Sequence, residues 1–139
     1  MTKIKLQSTD NLDHFTATNE HGHTIALSGD GSATGPMQAV LMAAAGCSTI
    51  DIVMILKKMR ADLAHIEVEV DGQRREEVPK TYTHIHLHYK VYGDLKENKV
   101  QQAIDLSVEK YCSVALMLEK SAKITTSFEI KPASDLEQN

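Results

Sequence analysis

The sequence predicts an α+β fold, and three features of its hydrophobic pattern support that prediction. The segment from Met37 to Leu56 carries Asp51 as its only charge and is long enough for a central buried helix. Polar and apolar residues alternate through 65–70 and 82–91, which is typical of antiparallel strands with one face on a core. Helical spacing returns after residue 95, so strands and helices are grouped along the chain rather than strictly alternating.

The N-terminal region, residues 1–30, has the pattern of short strands joined by turns. Three strands are predicted there, at 3–6, 15–18 and 24–27. The small and polar residues from Ser28 to Gly35 predict a loop that leads into the first helix.

The central helix is predicted over 36–59 and carries Cys47. Pro36 is tolerated in a first helical turn, and Lys57 and Lys58 suit the negative end of the helix dipole. The apolar length approaches the roughly 20 residues that cross a bilayer. The polar residues within it and its alanine-rich middle favour the core helix of a protein without a membrane span.

The C-terminal part of the chain is predicted to hold strands within 65–92, a second helix over 95–120 that carries Cys112, and a final strand over 124–131. All elements are expected in one domain, 1–139. The strand around residue 87 has one largely apolar face, formed by Thr83, Ile85, Leu87, Tyr89 and Val91. The second helix has an apolar stripe at helical spacing, formed by Val100, Ile104, Val108, Tyr111, Ala115 and Leu118.

Charge and composition exclude some partners. The formal net charge is −4 and the pI is about 5.9, which argues against nucleic acid because phosphate binding needs a basic surface. The first residues lack the apolar core of a signal peptide, so we expect a cytoplasmic protein with no membrane partner. In that compartment any disulfide should be transient.

The two cysteines offer a specific chemistry. A thiolate that attacks an oxidant becomes a sulfenic acid, and a nearby second thiol can trap it as a disulfide. Cys47 and Cys112 therefore satisfy the minimum requirement for a thiol peroxidase. Two inert core cysteines would give the same count.

Three alternating histidines raise the question of a metal site. His84, His86 and His88 share the other face of their strand and could offer ring nitrogens to a metal. Glu67 and Glu69 on the neighbouring strand could instead pair with them across the sheet. We favour a solvated sheet face and predict no metal and no cofactor.

Several stretches together resemble one known family. They are the helix opening Gly35–Gln38, the Ala43–Cys47 stretch, Pro79 with the strand Tyr82–Val91, and the Glu109–Ala115 stretch. Over nearly its whole length the chain resembles the osmotically inducible protein C and organic hydroperoxide resistance (OsmC/Ohr) family. It is most similar to a less characterised branch with a YCSVAL stretch.

The resemblance implies an OsmC-like intertwined homodimer with paired central helices and active sites at the subunit interface. It implies that Cys47 attacks an organic hydroperoxide, that Cys112 resolves the sulfenic acid as a disulfide, and that an external dithiol reduces the disulfide. No metal or organic cofactor is implied. Two alternatives share the fold: a catalytically weak small-molecule binding protein and a thiol redox sensor.

The sequence departs from the family's hydroperoxide reductases at two positions. Those enzymes hold the thiolate with an N-terminal arginine, whereas the first arginine here is Arg60. They orient that arginine with a glutamate where this chain has Gln38. A free thiol is only a few per cent thiolate at neutral pH, so Cys47 should need another cation. The candidates, from either subunit, are Lys3, Lys5, His21, His23, Arg74 and Arg75.

Overall fold

The structure, a computed structural model, describes residues 1–138. The chain forms two compact units, one from Met1 to Val40 and the other from Leu41 onward. The expectation of a single domain stays a prediction.

The first unit contains a three-stranded antiparallel sheet in the order β1 (Ile4–Ser8), β2 (His14–Asn19), β3 (Thr24–Ser28). Each strand lies where the alternating pattern predicted one. The loop after β3 is organised by Asp30, whose carboxylate accepts hydrogen bonds from Ser32 and Asn11. These hydrogen bonds hold the pKa of Asp30 well below its usual range.

The long helix α1 (Pro36–Lys58) begins and ends within one residue of its predicted bounds. Its length and hydropathy would suffice to cross a membrane. Within the chain, only 22% of its most apolar 18-residue stretch is buried. The buried residues recur every fourth position and are Ala44, Ser48, Ile52 and Leu56. Elsewhere on the helix Met42, Ile50 and Met54 are 60%, 66% and 48% exposed. Among the described residues of one chain, α1 therefore buries one face and leaves another exposed.

The second unit contains a sheet in the order β4 (Asp62–Arg74), β5 (Tyr82–Asp94), β6 (Lys123–Lys131). Strands β4 and β5 are antiparallel, but β5 and β6 are parallel. The prediction of purely antiparallel sheets is wrong for that pair. A helical crossover between β5 and β6 returns the chain to the end of the sheet where β5 begins. Strand β6 therefore starts at the same end as β5 and runs in the same direction.

The apolar face of β5 forms the centre of the second unit. Ile85, Leu87, Tyr89 and Val91 are at most 1% exposed, as their alternation predicted.

The predicted second helix is divided into three parts. They are α2 (Glu97–Leu106), a π-helical turn (Ser107–Tyr111) and α3 (Ser113–Leu118). The break falls at Cys112, whose backbone is extended with φ −74° and ψ 105°. An extended residue rotates the side chains that flank it, so Tyr111 is 52% exposed and Cys112 is fully buried. The single apolar stripe predicted over 95–120 is wrong at Tyr111 for this reason.

Candidate active site

The two cysteines lie next to each other in the second unit, together with one carboxylate. The Sγ atoms of Cys47 and Cys112 and a carboxylate oxygen of Asp51 all lie within 4.8 Å of one another. Both cysteines are free thiols; Cys112 is buried and Cys47 is half-buried. A disulfide between them would need the sulfurs to approach to about 2.05 Å, a movement of a few ångströms.

Asp51 joins the pair because of its position on α1. It lies four residues after Cys47, and side chains at that spacing share one face of a helix. Its Oδ2 atom is buried and has no hydrogen-bond partner among residues 1–138. A buried carboxylate oxygen without a donor is uncommon in folded proteins.

The break in the second helix positions Cys112. The Cys112 N–H donates to the Ser107 carbonyl at 2.6 Å, which closes the π-helical turn. The Cys112 Sγ accepts a hydrogen bond from the Ala115 N–H at 3.4 Å and so caps α3. Single π-helical turns are frequent at functional sites.

Burial controls the protonation of Cys112. It raises the pKa of this thiol to about 11, although the backbone N–H of Ala115 opposes it; the Cys47 side chain raises the pKa further. At neutral pH Cys112 is therefore a protonated thiol. A protonated thiol is a poor nucleophile, so Cys112 is not suited to attack peroxide first and needs a base to take its proton before it can trap a sulfenic acid.

A buried polar network fixes the elements that carry the cysteines. The Ser107 hydroxyl donates to the Ser48 carbonyl at 2.9 Å, which ties the π-helical turn to α1. The Ser48 hydroxyl and the Tyr89 hydroxyl are hydrogen-bonded at 2.6 Å, which ties α1 to β5. Burial raises the pKa of Tyr89 to about 12 despite this hydrogen bond. Because Ser48 follows Cys47, the network sets where Cys47 lies relative to Cys112.

A cleft of about 510 Å³ opens beside this cluster. Asp51 belongs to its wall, and most of the other lining side chains are apolar. The lining residues are Asp51, Met54, Ile55, Lys58, Met59, Leu106 and Tyr111.

The predicted supporting residues have other local partners. Gln38 accepts a hydrogen bond from the Gly35 N–H at 2.9 Å and so stabilises the first turn of α1. Arg74 donates to the Lys80 carbonyl at 2.6 Å, and Arg75 donates to the Pro79 carbonyl at 2.5 Å. A role for these three residues at the cysteines stays a prediction.

The three histidines of β5 form a hydrogen-bonded row with β6. His84 Nε2 and His86 Nδ1 are each 2.7 Å from the Thr125 hydroxyl. His86 Nε2 and His88 Nδ1 lie 2.8 Å and 2.6 Å from the Ser127 hydroxyl. We call this row the histidine ladder.

Glu69 lies directly opposite His88 in the β4–β5 register, as the cross-sheet alternative allowed, but the charged groups of these two residues have other partners. Glu69 pairs with Lys90 at 3.9 Å, and His88 instead faces Glu129 on β6 at 3.6 Å. The parallel β6 strand, which sequence reasoning placed without a partner, supplies these groups.

Sequence reasoning did not identify Asp51, Ser48 or Ser107 as site residues. For Asp51 a signal was present, because it is the single charge between Met37 and Leu56 and lies one helical turn after Cys47. Ser107 has no such signal, since its partner is 59 residues away in sequence.

Comparison with known proteins gives consistent results. Residues 29–127 match the model of a family described as OsmC-like protein. The chain is 52% identical over 122 residues to Protein YhfA of Escherichia coli strain K12, which covers 86% of this chain and 91% of that protein.

Solved structures show the same fold. A hypothetical protein from Aquifex aeolicus VF5 is 32% identical, with a TM-score of 0.87 over 95% of this chain and 97% of that one. The organic hydroperoxide resistance protein OhrB of Bacillus subtilis is 14% identical, with a TM-score of 0.67 over 93% of this chain and 98% of that one. At that identity the likeness concerns the fold.

Proposed function

Because the chain belongs to the OsmC-like protein family, we propose that it is a thiol-dependent peroxidase that reduces organic hydroperoxides. Membership of the family implies a redox or peroxide-resistance role. The observation that supports the finer proposal is that the sulfurs of Cys47 and Cys112 lie within 4.8 Å of each other, beside a mainly apolar cleft. A half-buried thiol and a fully buried thiol suit two different steps.

Cys47 carries out the first step. Its thiolate attacks the terminal peroxide oxygen, a sulfur–oxygen bond forms, and the oxygen–oxygen bond breaks. The leaving alkoxide takes a proton and departs as an alcohol. The peroxide is reduced by two electrons, and Cys47 becomes a sulfenic acid.

Cys112 carries out the second step. Its sulfur attacks the sulfur of the sulfenic acid, a disulfide forms, and the leaving hydroxide takes up the thiol proton of Cys112 as water. Asp51 has a carboxylate oxygen within 4.8 Å of both sulfurs, and we assign to it the transfer of that proton. An external dithiol then returns both cysteines to thiols, which fits a cytoplasmic location where thiols are kept reduced.

The test is a comparison of single cysteine variants. Reduced protein treated with one equivalent of an alkyl hydroperoxide should give one intramolecular Cys47–Cys112 disulfide by mass spectrometry. Cys112→Ser should retain a sulfenic acid on Cys47 that a dimedone-type reagent captures. Cys47→Ser should leave Cys112 reduced and peroxide unconsumed.

The alternative functions predict other outcomes. A small-molecule binding protein with two inert thiols would keep both cysteines reduced under the same treatment. A redox sensor would form the disulfide, but it would turn over peroxide poorly when supplied with a dithiol reductant. The absence of an arginine before Arg60 favours these alternatives, and the proximity of the two sulfurs favours the peroxidase.

We also propose that the protein is a homodimer. The apolar side chains of Met42, Ile50 and Met54 are exposed on α1, a helix of high hydropathy. Exposure of this apolar surface to water is unfavourable. A second copy of α1 would cover them, in an interface that should exceed about 2,000 Å² if the dimer is obligate. Light scattering at micromolar concentration should give a dimer. A stable folded monomer would contradict the proposal.

A further inference from the structure

The cluster of Cys47, Cys112 and Asp51 has the donor set of a metal site. Two thiols and a carboxylate in one place can become two thiolate ligands and one oxygen ligand. Thiolates select soft or borderline ions, among which zinc also accepts carboxylate oxygen. We propose that the reduced protein binds one zinc ion through Cys47, Cys112 and Asp51.

The distances fit such a site after small side-chain movements. Zinc bonds of about 2.3 Å to sulfur and 2.0–2.2 Å to oxygen place tetrahedral ligand atoms about 3.5–3.8 Å apart. The three donor atoms here lie within 4.8 Å of one another, so they need to approach by about 1 Å at most. Cys47 and Asp51 already share one face of α1, and only Cys112 comes from another segment.

The carboxylate provides an independent observation. Asp51 Oδ2 is buried without a hydrogen-bond donor among the described residues. An unpaired buried carboxylate oxygen is costly, and a divalent cation would satisfy it. The same residue forms part of the wall of the 510 Å³ cleft, so water could occupy a fourth coordination position from that side.

Zinc binding and disulfide formation exclude each other. On binding, each thiol loses its proton and forms a sulfur–zinc bond, so two protons are released and no electrons are transferred. A disulfide has no thiolate to offer, and zinc-bound sulfurs cannot join each other. Zinc would therefore protect the pair from peroxide, and oxidation would release zinc. This consequence rests on the proposed function, whereas zinc binding itself does not.

The experiment uses reduced, metal-free protein with no peroxide present, so that peroxidase activity does not affect the result. Cobalt(II) serves as the spectroscopic probe and is displaced by zinc. We expect one equivalent to produce a thiolate-to-cobalt charge-transfer band and the visible bands of a four-coordinate site. Zinc should then abolish both and slow alkylation of Cys47 and Cys112.

Two variants with the same charge change identify the carboxylate. Asp51→Asn should weaken zinc affinity by about tenfold or more, since even outer-shell changes cost 10–100-fold. Asp94→Asn, at an exposed strand end outside the cluster, should leave zinc affinity unchanged.

Two results would overturn the proposal. One is cobalt binding without a thiolate charge-transfer band in wild type, which would place the ion elsewhere, such as on the histidine ladder. The other is equal zinc affinity for wild type and Asp51→Asn with both proteins folded by circular dichroism. Because the wild-type alkylation assay needs no variant, a variant that fails to fold leaves the test intact.

Discussion

The two cysteines occupy opposite kinds of helical environment. Cys47 lies in the middle of α1, an unbroken helix of 23 residues whose backbone hydrogen bonds are internal. Cys112 lies where a helical segment is interrupted, with an extended backbone between a π-helical turn and α3. One thiol is thus on a regular helix and half-buried, whereas the other is turned inward by an irregular segment.

The two helical environments give the two sulfurs different solvent exposure and different surroundings. A regular helix holds Cys47 at a half-buried position, while the break buries Cys112 and gives its sulfur a backbone donor. Burial nevertheless dominates and keeps Cys112 protonated. Under the proposed function, this arrangement gives an order to the two thiols: Cys47, the more accessible sulfur, meets the oxidant first, and the buried Cys112 reacts second.

The largest expected effect contrasts two isoleucines of α1. Ile52 is fully buried and Ile50 is 66% exposed. Ile52→Ala should lower the free energy of unfolding by about 2–5 kcal/mol, since it creates a cavity in the core. Ile50→Ala should instead weaken the proposed dimer, measured as its dissociation constant by sedimentation. Equal losses of unfolding free energy with unchanged dimer affinity would show that the single chain buries both faces.

The next effect concerns alkaline pH and tests the burial of Cys112. Its folded pKa of about 11 and that of Tyr89, about 12, both lie above the ordinary values of 9.0 and 10.0. The unfolded chain therefore releases these protons at lower pH than the folded chain does. The free energy of unfolding keeps its whole contribution from these two groups below pH 9 and falls as the pH rises towards 12. Urea unfolding under reducing conditions measures this loss.

Variants assign that loss to its two groups. Cys112→Ala should abolish the loss of stability between about pH 9 and 11. Tyr89→Phe should abolish the loss of stability between about pH 10 and 12. An unchanged pH profile in Cys112→Ala would mean that the thiol is as well solvated as in the unfolded chain.

A smaller effect tests whether the buried network aligns the two cysteines. Ser107→Ala removes the hydrogen bond to the Ser48 carbonyl and should cost about 1 kcal/mol of stability. It should also slow formation of the disulfide more than formation of the sulfenic acid, and rapid quenching with a dimedone-type reagent and a thiol-alkylating reagent can separate the two. Ser113→Ala, an exposed serine of the same segment, is the matched control. Equal behaviour of both variants would remove Ser107 from this role.

The smallest effect is expected at the start of α1. Gln38→Glu keeps the acceptor for the Gly35 N–H and adds a negative charge at the N-terminus of α1. The interaction of this charge with the helix dipole should raise the free energy of unfolding by about 0.3–1 kcal/mol. The peroxide rate should not rise, because a carboxylate assists a thiolate only through an intervening cation. A large gain in the rate would reveal an arginine already in place.

Regular elements were predictable from the sequence because their patterns are local. The alternation through β5 identified its buried face, and the apolar run of α1 identified the helix that carries Cys47. The direction of β6 was not predictable in this way, because it depends on the path of a crossover that no local pattern records.

The break at Cys112 was missed for a related reason. Residues 107–112 contain no glycine or proline, so nothing local indicates that the helix stops. The interruption is accompanied by a distant hydrogen bond, from Ser107 to Ser48, that only the folded chain brings together. The pairing of the two cysteines came from the family resemblance, and Asp51 could have been added from its helical spacing to Cys47.

The histidine ladder has a direction. A neutral imidazole carries one N–H, and a hydroxyl has one hydrogen to donate. When Thr125 and Ser127 donate within the ladder, the hydrogen bonds from His84 to His88 must all point the same way. Glu129 lies 3.6 Å from His88 Nε2 and favours the hydrogen on that nitrogen. Nδ1 of His88 then accepts from the Ser127 hydroxyl, which in turn accepts from His86 Nε2. In the same way, His86 Nδ1 accepts from the Thr125 hydroxyl, which accepts from His84 Nε2. With all three rings neutral, Glu129 on β6 thus selects the tautomer of His84, two rings away.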